Sequence, residues 1–115
     1  MPEHLSHGAY VDSTRRQVVE TAQAMLDGRL SFLVGSRRLA ALRDEVDVAG
    51  NDADFTTFVG IDSCTDALPL GEVRQYWSQE ALTKLEPEIQ SAEAWAASVG
   101  NEACRRLIAR FVESV

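Results

Sequence analysis

Apolar residues recur at steps of three and four along most of this chain, and this spacing limits the folds open to it. In the segment FLVGSRRLAALRDEV, the repeat runs through Phe32, Gly35, Leu39, Leu42 and Val46. Such steps place side chains on one face of an α-helix, where they form a seam for packing on another helix. No stretch shows the sustained alternation of apolar and polar residues that indicates a half-buried strand. The spacing therefore predicts an all-α fold.

Capping residues and glycines predict where the helices begin and end. Four main helices and one short helix are expected, with N-caps at Ser13, Ser31, Asp52 or Asp54, Ser78 and Asn101. Glycines that follow apolar repeats predict helix ends at Gly28, Gly60 and Gly100. Pro87 is expected either to kink the helix that follows Ser78 or to divide it in two. These elements predict a small helical bundle.

The stretch IDSCTDALPLG, residues 61–71, is predicted to be an ordered central loop. Its Asp, Ser and Thr side chains can bond locally in turns, and apolar anchors into the core are expected at Ile61, Leu68 and Leu70. The following EVRQYW is expected to form a short helical turn, with Trp77 in the core and Tyr76 in the core or at an interface. Residues 1–12 are a predicted tail, and 13–115 a single helical domain.

Negative charge is concentrated in one quarter of the chain. The 115 residues carry a net charge of −7, which opposes nucleic-acid binding because that role requires basic residues to neutralise phosphates. The acidic segment, residues 44–73, has no Lys or Arg and eight acids: Asp44, Glu45, Asp47, Asp52, Asp54, Asp62, Asp66 and Glu72. The rest of the chain has ten acids and eleven bases, a balance of +1. Just before the segment, Arg37, Arg38 and Arg43 are expected on a solvated face.

The sequence gives little support to enzyme chemistry. His4 and His7, the two histidines, lie in the predicted tail, where a general base is not held against a substrate. The chain contains no GxSxG, no GxGxxG and no phosphate-binding loop. Asp62, Asp66 and Glu72 are candidate metal ligands of a small hydrolase, although the spacing of a calcium loop is absent. We therefore predict no catalytic residue, no cofactor and no metal site, with a metal-dependent hydrolase as an alternative.

Cys64 and Cys104 are expected to be free thiols in a cytoplasmic protein. The chain has no CxxC and no cluster of Cys and His at metal-ligand spacing. Cys104 lies on an apolar helical stripe and is expected to act as a small hydrophobe. No apolar run approaches the roughly 20 residues of a membrane span, and the first residues do not match a secretory signal. We predict no membrane partner.

The stretches LDGRLSFLVGSRRLAALR and FVGIDSCTDALPLGEVRQYWSQEAL lie within residues 26–82. The second contains the pattern G-I-D-S-x-T-D-x-L-P-x-G, followed by V-R and W-S-x-E-A-L. On these residues the chain resembles a family of small, uncharacterised bacterial proteins, and the resemblance implies no particular chemistry. In type (small, acidic, helical and without a cofactor site) it also resembles bacterial immunity proteins, which bind and neutralise a toxin domain.

The leading hypothesis is a non-enzymatic protein-binding module, most concretely an immunity protein. Its acidic segment is expected to face a basic surface on a toxin domain, because complementary charge speeds association. The predicted partner-binding residues are the eight acids of the segment together with Tyr76 as an aromatic anchor. The main alternative is a homodimeric structural or regulatory protein, in which the helical seams pack between two subunits.

Overall fold

The computed structural model describes residues 7–46 and 48–112, which form four α-helices and two short 3-10 helices. The α-helices are α1 (His7–Leu26), α2 (Phe32–Leu42), α3 (Ala53–Thr65) and α4 (Gln79–Phe111). The 3-10 helices are Arg43–Glu45, directly after α2, and Gly71–Tyr76, ahead of α4. These residues contain no strand, and the predicted all-α bundle is confirmed.

Three of the predicted N-caps begin helices. The hydroxyls of Ser31 and Ser78 each accept a hydrogen bond from the amide three residues on, at 3.0 and 3.1 Å, at the starts of α2 and α4. The Asp52 carboxylate accepts from two amides at the start of α3, so Asp52, and not Asp54, is the cap. Each acceptor satisfies amides that have no partner inside the helix, a contribution of about 1 kcal/mol per cap.

Helix α1 begins earlier than the sequence predicts. Ser13 does not cap α1 but lies within it, because the helix already begins at His7. Val11 is buried, so the additional turn extends the apolar face of α1 onto the rest of the molecule. The predicted tail is therefore wrong for residues 7–12, while residues 1–6 lie outside the described residues.

Glycine marks a helix end only where the backbone turns left-handed. Gly28, with a φ of 80°, follows the end of α1 as predicted. Gly60 and Gly100 lie inside α3 and α4, so the helix ends predicted there are wrong. A Cβ at Gly100 would lie 3.0 Å from the ring of Phe58. A glycine at position 100 therefore allows α4 to approach α3 closely, and it does not stop the helix.

Helix α4 is continuous over 33 residues. Pro87 does not divide it, and Asn101 begins no separate helix. A proline removes one backbone hydrogen bond and crowds the preceding turn, at about 3 kcal/mol. Leu82 before Pro87 and Ala96 after it are both buried, so packing holds the helix on either side of the proline.

The predicted loop over residues 61–71 is helical in its first half. Helix α3 continues to Thr65, whose hydroxyl donates to the carbonyl of Ile61 at 2.7 Å. The three anchors are confirmed, since Ile61 is buried and Leu68 and Leu70 pack half-buried against the core. The short helical turn predicted for EVRQYW is confirmed as the 3-10 helix Gly71–Tyr76.

The core lies where α2 and α4 meet the other helices, since each of these two packs against all the other α-helices. Its largest buried side chains are Val18, Met25, Leu33, Leu39, Phe55, Phe58, Ile61 and Leu107. Gly35, on the predicted α2 seam, packs directly against α1, because a Cβ there would overlap the side chain of Met25.

The first half of α4 is much less buried than the second. Between residues 79 and 95 only Leu82 is buried, whereas most of the buried α4 side chains lie beyond Trp95. Leu85 and Ile89 are half-buried, so this half leaves much of its surface open. Within the described ranges, no helix has the length and apolar content needed to cross a membrane.

Candidate functional site

Two acids of the acidic segment bind arginines of α4. The carboxylate of Asp54, in the first turn of α3, accepts a 2.7 Å bond from Arg106 and a 2.9 Å bond from Arg110. Arg110 also pairs with Asp52 at 2.7 Å. The side chains of Asp52 and Asp54 are only 12% and 8% exposed. Both carboxylates therefore attach the start of α3 to the last turns of α4.

Arg110 and Asp52 each stabilise the charged form of the other. The hydrogen bond from Arg110 to Asp52 holds the pKa of that carboxyl below its ordinary value, and the same bond raises the pKa of Arg110. The hydrogen bond to Asp54 raises the pKa of Arg106. Partial burial opposes the shifts at Asp52 and Arg110, because desolvation disfavours the charged form of either group. The two negative charges of the carboxylates and the two positive charges of the guanidiniums balance one another.

The ring of Phe111 connects this cluster to α1. The guanidinium carbons of Arg15 and Arg110 each lie 5.1 Å from its centroid, within the range of a cation–π contact. Arg15 donates to the carbonyl of Val46 at 3.0 Å, and the ring packs against Phe55 with centroids 6.3 Å apart. Four segments of the chain meet here, which is the arrangement of a structural contact.

Asp62 is also held by an arginine. Arg37 in α2 forms an ion pair with Asp62 at 3.4 Å and donates to the carbonyls of Thr65 and Leu68 at 2.6 and 3.2 Å. These carbonyls lie at the end of α3 and just beyond it, where helical partners are missing. The prediction that Arg37 lies on a solvated face is therefore wrong, because its guanidinium caps the C-terminus of α3. Arg38 is exposed, and Arg43 is half-buried.

The remaining acids of the segment divide into those with a local partner and those without one. Asp44 pairs with the arginine before it at 3.4 Å, and Glu45 accepts a hydrogen bond from the hydroxyl of Tyr10. Asp66 and Glu72 are exposed, and their side chains bond to no other described residue. Asp47 lies outside the described residues. The acids therefore occupy different surroundings, and their shared role in partner binding stays a prediction.

The 3-10 helix Gly71–Tyr76 has three residues per turn. Residues three apart therefore lie on the same face, and their neighbours in sequence lie on other faces. Val73 and Tyr76 share one face and are 48% and 82% exposed. Trp77 follows the helix and is 41% exposed, so its predicted place in the core is wrong. Its extended backbone leads directly into the N-cap of α4 and does not enter the core. We call Val73, Tyr76 and Trp77 the ridge.

A groove lies beside the ridge and shares the same 3-10 helix. Gly71 and Arg74, three residues apart, line one side, and Glu86, Gln90 and Glu93 of α4 line another. The apolar lining residues are Leu33, Leu70, Ile89, Ala94 and Ala97. Its volume is about 530 Å³, and sites that bind small ligands span roughly 300 to 1,000 Å³. We call this cavity the groove.

Glu93 is the groove residue with the most defined role, and sequence reasoning missed it. Its carboxylate accepts from the amides of Phe32 and Leu33, at 2.7 and 3.2 Å, at the start of α2. A negative charge is favoured there by the helix dipole and by unpaired amides. In the sequence, Glu93 is a polar residue in the middle of α4. No local pattern connects it to a helix that begins about 60 residues earlier.

The described residues contain no cluster of three His, Cys, Asp or Glu side chains placed to hold a metal ion. Asp62, one of the candidate hydrolase ligands, is engaged with Arg37. Cys64 is exposed and Cys104 is buried, and both are free, as predicted. Burial raises the pKa of Cys104 to about 12, so this thiol stays protonated and packs as an apolar group.

Comparisons of the chain with protein-family models, with curated proteins and with solved structures find no match. The resemblance seen over residues 26–82 therefore stays a prediction. The candidate site is defined by geometry alone, as the ridge and the groove beside it.

Proposed function

We propose that this chain is a non-enzymatic protein-binding module whose contact surface is the ridge and the groove. The observation that carries the proposal is the exposure of Val73, Tyr76 and Trp77 beside an apolar groove. Aromatic side chains are enriched among the residues that dominate binding energy in protein interfaces. Exposed apolar surface rimmed by polar groups is typical of an interaction site.

The charge around the ridge supports a basic partner. Residues 66–86 contain four acids and only two bases, which are Arg74 and Lys84. The four acids are Asp66, Glu72, Glu80 and Glu86. Such an excess favours and accelerates encounter with a positively charged surface. We infer that the partner is a basic protein, most concretely a bacterial toxin domain that this chain neutralises as an immunity protein.

Three acids are left out of the proposed contact surface. Asp52, Asp54 and Asp62 are engaged with arginines inside the molecule, so a partner would have to compete with those bonds. Free thiols at Cys64 and Cys104 support action in a reducing compartment, and we infer the cytoplasm.

Photo-crosslinking from the ridge tests the proposal. A benzophenone amino acid at position 76 is expected to capture a basic protein from the native bacterial lysate, identified by mass spectrometry. The matched control places the same group at Glu20, an exposed position of α1. The captured protein is then purified, and its affinity is measured with the wild-type chain and with the double variant Asp66→Lys, Glu72→Lys.

The charge-reversed variant is expected to bind the captured protein at least tenfold more weakly and with a smaller dependence on salt. If the probe at position 20 captures as much of the same protein as the probe at position 76, the protein does not bind preferentially at the ridge, and the proposed contact surface is wrong. Unchanged affinity of the charge-reversed variant would remove the charge argument.

A homodimer is the second candidate, because α4 carries an apolar stripe distinct from the ridge and the groove. Leu85, Ala92, Trp95 and Val99 follow one another at steps of seven, three and four, the spacing of a coiled-coil seam. Trp95 and Val99 are 42% and 43% exposed. Light scattering at micromolar concentration should give a dimer mass for the wild type and a monomer mass for Trp95→Glu. A monomer mass for both proteins would rule this candidate out.

A further inference from the structure

We propose that the groove receives a lysine or arginine side chain of the basic protein partner, together with a neighbouring aliphatic side chain. This inference rests on the proposed function and names the chemistry that the groove recognises. Its support comes from the apolar lining, the carboxylates on α4 and the limited counter-charge on the opposite side.

The lining of the groove suits the methylene stem of a long side chain. Leu33 contributes from the start of α2, Leu70 from the start of the 3-10 helix, and Ile89 and Ala97 from α4. Leu70 and Ile89 are half-buried, so apolar surface remains available to a guest. Lysine and arginine place their stems on such surface while the charged head stays near water.

The α4 side of the groove presents acceptors for the charged head. Glu86 and Glu93 are separated by seven residues, a rise of about 10 Å along the helix. Glu86 accepts from the Gln90 side chain at 3.3 Å, and Glu93 accepts from two backbone amides. Carboxylate oxygens can accept more than one hydrogen bond, so both remain able to bind a cation.

The opposite side provides only one positive charge. Arg74 donates to the carbonyl of Pro69 at 3.4 Å, and it is the one basic residue that lines the groove. Two carboxylates and one guanidinium leave the groove with a net charge of −1. An anionic guest would meet two carboxylates, whereas a cationic guest would find them as partners. The guest that fits both the lining and the charge is an aliphatic stem with a cationic head.

Titration with n-hexylguanidinium chloride, followed by amide chemical shifts of the ¹⁵N-labelled chain, tests this chemistry without the partner. Sodium hexanesulfonate serves as the anionic probe with the same alkyl chain. Saturable shifts are expected at Leu33, Leu70 and Ile89 with the guanidinium, and at least fivefold weaker binding with the sulfonate.

Glu86→Gln is expected to weaken binding of n-hexylguanidinium about two- to fivefold, the range of one exposed ion pair. The matched control is Glu88→Gln, because two residues turn an α-helix by about 200° and place position 88 on the other side of α4. Glu88→Gln should leave the affinity unchanged.

Three outcomes would overturn the inference. They are equal binding of the sulfonate, equal effects of the two Gln variants, or shifts confined to a second cleft, which Gln17, Thr21 and Arg38 line between α1 and α2. These failures are distinct from failure of the proposed function. If position 76 still captures a basic protein and the groove prefers no cation, the ridge stands and the groove chemistry is wrong.

Discussion

The carboxylate of Glu93 accepts a 2.7 Å hydrogen bond from the backbone amide of Phe32, which lies 61 residues earlier in the chain. Its other oxygen accepts from Leu33, so Glu93 and Ser31 together satisfy three amides at the start of α2. A helix of 11 residues is marginal without support from elsewhere. Helix α2 therefore depends on a carboxylate supplied by α4.

Replacing Glu93 with Ala should lower the free energy of unfolding by about 1 to 2 kcal/mol, because two amides lose a charged acceptor. Urea unfolding followed by circular dichroism measures the change. Glu88→Ala is the control, since Glu88 lies exposed on the same helix, and it should change stability by less than about 0.5 kcal/mol. Equal losses for the two variants would argue against the cap.

Gly35 and Gly60 should respond to alanine in opposite directions. A Cβ at Gly35 would overlap the buried Met25, so Gly35→Ala should destabilise the protein by about 1 to 3 kcal/mol. Gly60 lies within α3 with nothing close to its added Cβ, so Gly60→Ala should stabilise by up to about 1 kcal/mol. Thermal unfolding compares the two, and a stabilising Gly35→Ala would contradict the packing of α1 on α2.

Asp54→Ala should destabilise the protein by about 1 to 3 kcal/mol, because both arginine contacts of a nearly buried carboxylate are removed. Asp66→Ala is the matched control at the other end of α3, where the aspartate side chain is exposed. A carboxylate near a helix C-terminus is unfavourable, so this variant should be neutral or slightly stabilising. Chemical denaturation that ranks the two variants in the reverse order would exclude the ion-pair cluster as a stabilising element.

Acid should weaken the protein through Asp52. The pKa of Asp52 is lower in the folded chain than its ordinary value of 3.8, mainly through its hydrogen bond to Arg110. As pH falls, the Asp52 carboxylate is therefore protonated in the unfolded chain before it is protonated in the folded chain. The stabilisation that Asp52 provides is complete above the unfolded pKa and is lost as pH falls through the folded pKa. Stability measured from pH 6 to pH 2 should fall less steeply for Asp52→Asn, and an unchanged slope would contradict the shift.

The two thiols should react at different rates with a disulfide reagent such as DTNB. Cys64 is exposed and should react at once in the native protein. Cys104 is buried with a pKa raised to about 12, so it should react only after unfolding. Absorbance should report one thiol in buffer and two in guanidinium chloride. Two fast thiols in buffer would show that the core around Cys104 opens readily.

Periodicity was sufficient to predict the helical class and the seam of α2, because the spacing of Phe32, Gly35 and Leu39 is a local property. Side-chain caps at Ser31, Asp52 and Ser78 were predictable for the same reason. The helix breaks expected at Gly60, Pro87 and Gly100 were wrong. Local propensity disfavours these residues in helices, but burial of neighbouring side chains outweighs that preference.

The candidate site was less predictable because it depends on contacts between distant segments. Charge counting located the acids but could not show that Asp54 meets Arg106 and Arg110, which lie more than 50 residues later. Tyr76 is exposed, so it does not lie in the core and its place at an interface stays a prediction, whereas Trp77 is exposed against prediction. A three-residue period over GEVRQY is the sequence signal that could have placed Val73 and Tyr76 on one face.

The contacts of α4 have a consequence for synthesis on the ribosome. Both short helices receive partners for their first turns from α4: Glu93 at α2, and Arg106 and Arg110 at α3. The ribosome completes α2 and α3 before it adds those side chains to the growing chain. Helices α2 and α3 are therefore made before α4 supplies Glu93 to the amides of α2 and the arginines to Asp54 of α3. The final packing of α2 and α3 therefore has to follow the synthesis of α4.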